Sequence, residues 1–153
     1  WHIPRSVDFR IAFYSKSFAF MQSIIYPKGK AMADKNILVL CYSRCTTCKR
    51  ALKWLDEHGV SYTLRDIKEE NPTAEELAEW HKLSGLSIRK FFNTSGMVYR
   101  DNNIKEQLDA GMSDSDAYNL LATTGMLVKR PLVVAGNTIL LGFKEPAWEE
   151  ALL

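Results

Sequence analysis

The amino-acid sequence predicts an α/β fold made of a βαβ unit, a helical insert, a β-hairpin and a closing helix. Three observations predict it. A run of five apolar residues at 37–41 passes into a segment with helical periodicity, and a Gly136-Asn137 pair separates two apolar runs near the C-terminus. Between them, the stretch from about 71 to 128 has only helical patterns. Alternation of strand and helix signals is typical of α/β domains.

The first strand and helix form the beginning of this fold. Residues Ile37 to Cys41 are continuously apolar, as in a strand that is buried on both faces. The residues after Cys45 change to helical periodicity, and four side chains share one face: Cys48, Ala51, Leu52 and Leu55. A Cys-x-x-Cys motif therefore lies where a buried strand passes into a helix.

The position of this motif favours redox chemistry. Free N–H groups and the positive end of the helix dipole favour a thiolate at a helix N-terminus, and Arg44, Lys49 and Arg50 add positive charge. We expect Cys45, before the first full turn, to be the exposed nucleophile and a thiolate. We expect Cys48, on the core face, to be its sheltered partner. The expected reaction is attack by Cys45 and resolution by Cys48 through an intramolecular disulfide.

Two other uses of the cysteines have to be weighed. A closed zinc site needs four ligands, and the chain has no second cysteine pair and no close histidine pair. The other candidate ligands are Cys41, His2, His58 and His81. A structural disulfide is disfavoured because we expect the protein to be cytoplasmic, where thiols stay reduced. We therefore predict no metal site and no cofactor.

The chain divides into an N-terminal extension, residues 1–33, and a domain of residues 34–153. Residues 1–32 carry five Lys or Arg and one Asp, whereas the rest of the chain carries 15 Lys or Arg and 17 acids. The domain therefore lacks the basic excess typical of nucleic-acid binding. In the extension, Arg10 and Lys16 interrupt an aromatic-rich stretch, so no apolar run reaches the ~20 residues of a membrane span. We expect no membrane contact and place the catalytic fold outside the extension.

Local signals predict the remaining elements. His58-Gly59 ends the first helix, so we interpret His58 as a capping residue rather than a ligand. Residues 60–66 alternate between apolar and polar and predict a second strand, parallel to the first. The insert begins with a capping box at Thr73 and Glu76. Its further helices are predicted at 88–92, 103–110 and 113–125, and the final elements are strands at 130–135 and 138–143 and a helix at 144–153.

These motifs resemble the arsenate reductase (ArsC)/Spx family of thioredoxin-like proteins over about residues 36–153. Besides Cys45-Thr-Thr-Cys48, the segments Ser87-Ile-Arg89-Lys-Phe-Phe and Lys129-Arg130-Pro131-Leu-Val-Val occur in the family's order and spacing. The resemblance implies a thioredoxin-like βαβ-ββα core with an all-helical insert, about 71–128, between the second and third strands. It also implies a cis bond before Pro131.

The resemblance further implies roles for particular residues. In the glutaredoxin-coupled arsenate reductases, the nucleophilic cysteine corresponds to Cys45 and two oxyanion-binding arginines correspond to Arg89 and Arg130. A third arginine is absent, and Lys144 is a partial substitute near the place where it is expected. The implied electron donor is a thiol, supplied by glutaredoxin with glutathione or by thioredoxin. We expect a monomer.

A second function stays open because the motif also resembles that of the redox-sensing Spx-type regulators. The reductases generally have a single active cysteine followed by Gly-Thr, whereas Cys45 and Cys48 form a pair here. The absent arginine removes a bidentate anion donor that a lysine cannot replace geometrically. The alternative is therefore a regulator whose disulfide is a switch and whose surface binds RNA polymerase through its α-subunit.

Overall fold

The structure is a computed structural model that describes residues 36–153. The predicted extension, residues 1–33, lies outside the described residues. Within the described part, four strands and six α-helices follow one another, with single 3-10 turns at Ile88–Phe91 and Gly125–Leu127. The elements are β1 (Ile37–Cys41), α1 (Thr46–Glu57), β2 (Thr63–Asp66), α2 (Ala74–Ser84), α3 (Met97–Asp101), α4 (Ile104–Asp109), α5 (Asp114–Thr123), β3 (Leu132–Ala135), β4 (Thr138–Leu141) and α6 (Glu145–Leu152).

The four strands form one mixed sheet in the order β2-β1-β3-β4. β1 pairs parallel with β2 and antiparallel with β3, and β3 pairs antiparallel with β4 through the hairpin turn at Gly136. This is the predicted α/β arrangement of a βαβ unit, a helical insert and a ββα unit. Because β1 is an inner strand with covered faces, Val39 and Leu40 are fully buried, which explains its continuous apolar sequence.

The core lies on both faces of this sheet. On one face, the sheet packs against side chains of the helical insert, among them Leu77, Phe91 and Leu121. On the other face, α1 and α6 cover the sheet with a cluster that includes Leu55, Trp148 and both Cys41 and Cys48. None of the helices in residues 36–153 is long and apolar enough to cross a membrane. The second cluster places two of the three cysteines inside the core.

Some boundaries differ from those predicted from the sequence. β2 begins at Thr63 rather than at residue 60, and Thr63 is the first residue that pairs with β1, opposite Leu38. β3 begins at Leu132 because Pro131 has no N–H to donate to the ladder. α3 was not predicted, since Gly96 opens it without a side-chain capping bond and the sequence carries no start signal there.

A polar clamp joins the end of β2 to the start of the insert. The Arg65 guanidinium donates to both carboxylate oxygens of Glu76, at 2.7 and 3.1 Å, and to the carbonyls of Glu70 and Asn71, at 2.8 and 3.1 Å. Glu76 also completes the predicted capping box with Thr73 at the N-terminus of α2. One side chain from the sheet therefore fixes both the connecting loop and the first helix of the insert.

We expect Arg65→Lys to destabilise the fold by about 1–3 kcal/mol at neutral pH, because an ammonium cannot keep four hydrogen bonds in one plane. The hydrogen bond from Arg65 lowers the pKa of Glu76. A folded-state pKa below the unfolded value contributes stability above the unfolded pKa of about 4.3, and this contribution is lost as the pH falls through the folded value. Urea unfolding of the wild type and of Arg65→Lys, at neutral pH and at pH ~3, measures the loss of stability and its pH dependence.

A loss of equal size at the two pH values would show that the ionised Glu76 carboxylate adds nothing to the effect of Arg65.

Candidate active site

The Cys-x-x-Cys motif forms the N-terminus of α1. Cys45 is the N-cap residue, and its sulfur accepts a hydrogen bond from the backbone N–H of Cys48 at 3.4 Å. A turn after β1 places Cys45 at this position, and in it the Cys45 N–H donates to the carbonyl of Tyr42 at 3.0 Å. Cys45 is half-buried, whereas Cys48 is 1% exposed. The difference in exposure is the predicted one, and the sulfur of Cys45 faces the N–H groups at the helix end.

Cys41, the last residue of β1, is a third cysteine at this site. It is 4% exposed and packs in the same apolar cluster as Cys48, with Cys45 at the edge of that cluster. The side chains of Cys41 and Cys48 are both buried on the face of the sheet that α1 covers. The neighbouring Cys48 side chain and then burial raise the pKa of Cys41, and all three cysteines are free. Sequence reasoning treated Cys41 as a small core residue and missed this packing.

The surroundings of Cys48 favour its thiolate. The neighbouring Cys41 thiol is the largest cause that lowers the pKa of Cys48, which stands at about 6 although burial acts against ionisation. The backbone N–H of Tyr42, the Cys45 side chain and the charge of Arg130 lower the pKa further. These contacts lower the pKa of the sheltered partner and so favour its thiolate, which is the form that attacks a sulfur.

Arg130 approaches this site from the segment before β3. Its guanidinium lies over the ring of Tyr42, 5.1 Å from the ring centre, and Nη1 contacts the Met126 sulfur at 4.0 Å. Its buried Nε has no hydrogen-bond partner, and no carboxylate of residues 36–153 pairs with it. Arg130 is thus a cation that acts on the cysteines and keeps donors available for an anion. The peptide bond between Arg130 and Pro131 is cis, as predicted.

Arg89 has a different environment. It lies in the 3-10 turn of the insert, 46% exposed, and its Nη1 forms an ion pair with Asp109 Oδ1 at 2.8 Å. It also lines an open cavity of about 520 Å³ with residues of α3 and α4, and the cysteines are not among the lining residues. An oxyanion bound by Arg89 would therefore compete with Asp109 for Nη1.

The remaining predicted positions lie near the closing helix and on the helix ends. Lys144 is exposed and precedes α6 as its N-cap residue. His58 ends α1, where its Nδ1–H donates a hydrogen bond to the Trp54 carbonyl at 2.8 Å and its ring stacks on the Trp54 ring. Within residues 36–153, no three His, Cys, Asp or Glu side chains lie close enough to hold a metal ion.

We expect mild oxidation to join Cys45 to Cys48 and to leave Cys41 as a thiol. Cys48 lies next to Cys45 and has a lowered pKa, whereas the pKa of Cys41 is raised, so its thiol keeps its proton. Peptide mapping after treatment with limiting peroxide identifies the product. A Cys41–Cys48 bridge as the main product would contradict this assignment.

The chain is similar to a known protein family and to solved structures. The ArsC family matches residues 40–151. The uncharacterised protein YusI of Bacillus subtilis is 49% identical over 109 residues, which cover 71% of this chain and 92% of YusI. A structure of a possible arsenate reductase from Streptococcus mutans is 40% identical, with a TM-score of 0.67 over 72% of this chain and 93% of that one.

The comparisons also include a regulator. The global transcriptional regulator Spx of Staphylococcus saprophyticus is 28% identical over 101 residues, which cover 66% of this chain and 75% of Spx.

The mixed sheet with its order β2-β1-β3-β4 and the cis bond at Pro131 agree with the thioredoxin-like fold that the resemblance implied. From its sequence and its fold, the chain belongs to the ArsC family of thioredoxin-like proteins.

Proposed function

We propose that this protein is a thiol–disulfide oxidoreductase of the arsenate reductase type, in which Cys45 is the nucleophile and Cys48 the resolving thiol. The observation that carries the proposal is the arrangement of these two sulfurs. Cys45 is half-buried and its sulfur accepts the Cys48 N–H at the helix end, whereas Cys48 is buried directly behind it with a lowered pKa. An accessible nucleophile next to an ionised second thiol is what two-step thiol chemistry requires.

The reaction on arsenate proceeds in two steps. The Cys45 sulfur forms a bond to arsenic, and one hydroxyl group of arsenate takes up the thiol's proton and leaves as water. The Cys48 thiolate then attacks the Cys45 sulfur, the sulfur–arsenic bond breaks, and its electron pair stays on arsenic. Arsenate and two thiols thus give arsenite, one disulfide and water. An external thiol donor, supplied by glutathione with glutaredoxin or by thioredoxin, reduces the disulfide again.

Arg130 supports this reaction by binding the oxyanion. Its guanidinium has an unpartnered Nε and no carboxylate partner in the described part of the chain. Its N–H donors can therefore bind an oxyanion without first breaking an ion pair. Arg89 shares its charge with Asp109, and Lys144 supplies an exposed positive charge at the start of α6. Charge-assisted hydrogen bonds to an anion are stronger than neutral ones.

Arg130→Ala should lower kcat/KM for arsenate roughly 10- to 150-fold, because one charge-assisted contact is worth about 1.5–3 kcal/mol. Arg130→Lys should lose nearly as much, since an ammonium lacks the planar pair of donors. Steady-state kinetics with each thiol donor measures the effect. The matched control is Arg100→Ala, which removes an exposed arginine of α3 and should leave kcat/KM unchanged. Equal kinetics for Arg130→Ala and the wild type would reject the anion-binding role.

A second candidate function is an Spx-type redox switch that binds RNA polymerase. The specific observation in its favour is that Arg89, one of the two predicted anion-binding arginines, is already neutralised by Asp109. A switch needs the Cys45–Cys48 disulfide but no turnover. Pull-down with the isolated RNA polymerase α-subunit, using the reduced and the oxidised protein, tests it beside the arsenate assay. Binding that depends on the disulfide, without arsenate turnover, would favour the switch.

A further inference from the structure

Tyr42, the first residue after β1, contacts both halves of the candidate active site. Its backbone carbonyl accepts the N–H of Cys45 at 3.0 Å, so this residue opens the turn that carries the nucleophile. Its ring lies against the Arg130 guanidinium, 5.1 Å from the ring centre. One residue therefore touches both the turn of Cys45 and the cation to which we assign oxyanion binding.

The surface on which Arg130 rests is fixed by the core. The Tyr42 side chain is partly buried and packs against the apolar cluster between the sheet and the helical insert. Met126, whose sulfur contacts Arg130 Nη1 at 4.0 Å, packs against the same cluster. The backbone next to Met126 is tied to the insert, because the Asn93 N–H donates to the Leu127 carbonyl at 2.7 Å. The ring and the sulfur are thus held in place before any substrate binds.

The two predicted anion-binding arginines differ in what stabilises their charge. Arg89 is paired with the Asp109 carboxylate at 2.8 Å, and this carboxylate occupies an N–H group that an oxyanion would need. Arg130 has no carboxylate partner within residues 36–153, and its buried Nε has no hydrogen-bond partner there. An aromatic face attracts a guanidinium through its quadrupole and does not neutralise its charge as a carboxylate does. The Tyr42 ring therefore stabilises the Arg130 cation and leaves its donors available.

We propose that Tyr42 is a positioning residue for oxyanion binding: its ring holds the Arg130 guanidinium against the turn that carries Cys45, and its carbonyl fixes that turn. The inference rests on the proposed oxidoreductase function and deepens it, because it names the side chain that makes one of the two arginines ready for an anion. A cation that is already in place loses less conformational freedom when the anion binds, which favours binding.

The test compares the alkylation of Cys45 by iodoacetate with its alkylation by iodoacetamide. In both reactions the sulfur forms a bond to carbon and iodide leaves, but only iodoacetate carries a negative charge. The ratio of the two rate constants therefore reports the attraction of an anion to this sulfur, and a general change in thiol reactivity cancels from it. The reduced full-length protein is used at low ionic strength, where charges are screened least. Peptide mapping confirms that the label is on Cys45.

In Tyr42→Leu we expect the ratio of iodoacetate to iodoacetamide rates to fall roughly three- to tenfold, the size of one cation–π contact, toward the ratio of Arg130→Ala. Tyr42→Phe keeps the ring and should keep the wild-type ratio. The double variant of Tyr42→Leu and Arg130→Ala should match Arg130→Ala alone, because Tyr42 acts through Arg130.

Tyr118→Leu is the matched control for the loss of a tyrosine. Tyr118 is also partly buried and packs against the same apolar cluster, but its hydroxyl contacts His81 of α2. It should keep the wild-type ratio, since a purely structural loss changes both alkylation rates together.

Arsenate turnover is measured on the same proteins and separates this inference from the function on which it rests. A wild-type ratio in Tyr42→Leu, or an equal fall in Tyr42→Phe or Tyr118→Leu, would overturn the role of the Tyr42 ring, whether or not arsenate is reduced. Equal ratios in the wild type and in Arg130→Ala would overturn it as well, because Arg130 would then attract no anion to Cys45. The expected ratios in a protein that reduces no arsenate would support the positioning role of Tyr42 and reject the arsenate reductase function.

Discussion

Cys45→Ser should reduce arsenate turnover to the uncatalysed background, whereas Cys48→Ser should stop the reaction after the first attack. A serine hydroxyl is a far weaker nucleophile than a thiol at neutral pH, and the backbone N–H that bonds to the Cys45 sulfur is a donor that cannot take the hydroxyl proton. In Cys48→Ser, the accessible sulfur keeps its surroundings at the helix end but has no thiolate partner. The mixed adduct on Cys45 should therefore accumulate and be visible by intact mass.

Ser43→Ala provides the matched control for these two variants. Ser43 is exposed and precedes the motif by two positions, so its change tests whether any substitution in this turn impairs turnover. We expect wild-type kinetics from it. If Cys45→Ser kept measurable turnover while Cys48→Ser lost all of it, the roles of the two cysteines would have to be exchanged.

Gly125→Ala should be the most damaging substitution away from the cysteines. Gly125 is buried, and a Cβ placed on it would overlap the backbone carbonyl of Ile67, which cannot move aside like the end of a flexible side chain. Overpacking between two backbone segments costs about 3 kcal/mol, which corresponds to a drop in Tm on the order of 10 °C for a domain of this size. Thermal unfolding followed by circular dichroism measures it.

Gly59→Ala separates the steric effect from the general loss of a glycine. Gly59 has a φ of +65° and no atom within 4 Å of a Cβ built on it, so alanine there meets only the cost of a left-handed backbone, about 1–2 kcal/mol. We expect Gly125→Ala to melt clearly below Gly59→Ala. Equal melting temperatures would mean that the turn at Gly125 and the Ile67 backbone move apart at little cost.

Features with a local cause could be predicted from the sequence. The bounds of β1 follow from five apolar residues in a row, and the capping box at Thr73 and Glu76 follows from residues three apart. The exposure of Cys45 and the burial of Cys48 follow from helical periodicity. Each of these depends on neighbours within about one helical turn, so no knowledge of the chain path is needed.

Features that depend on contacts between distant or folded-back segments could not be predicted. Asp109 neutralises Arg89 across twenty positions of the insert, and nothing in the spacing of the two residues indicates it. The packing of Cys41 and Cys48 in one buried cluster requires the end of β1 and the first turn of α1 to face each other. The sequence does contain a signal, because a cysteine ends the buried strand just before the Cys-x-x-Cys motif. The position of this cysteine relative to Cys48 is known only from the fold.

A single turnover of arsenate by the reduced protein, without any thiol donor, tests the central claim most directly. The proposed chemistry predicts one arsenite for each Cys45–Cys48 disulfide found by peptide mapping, because the two electrons that reduce arsenic come from these two sulfurs. Cys41 should remain a thiol. If the disulfide forms only with peroxide and no arsenite accompanies it, the protein is not an arsenate reductase, and disulfide-dependent binding to the RNA polymerase α-subunit becomes the function to establish.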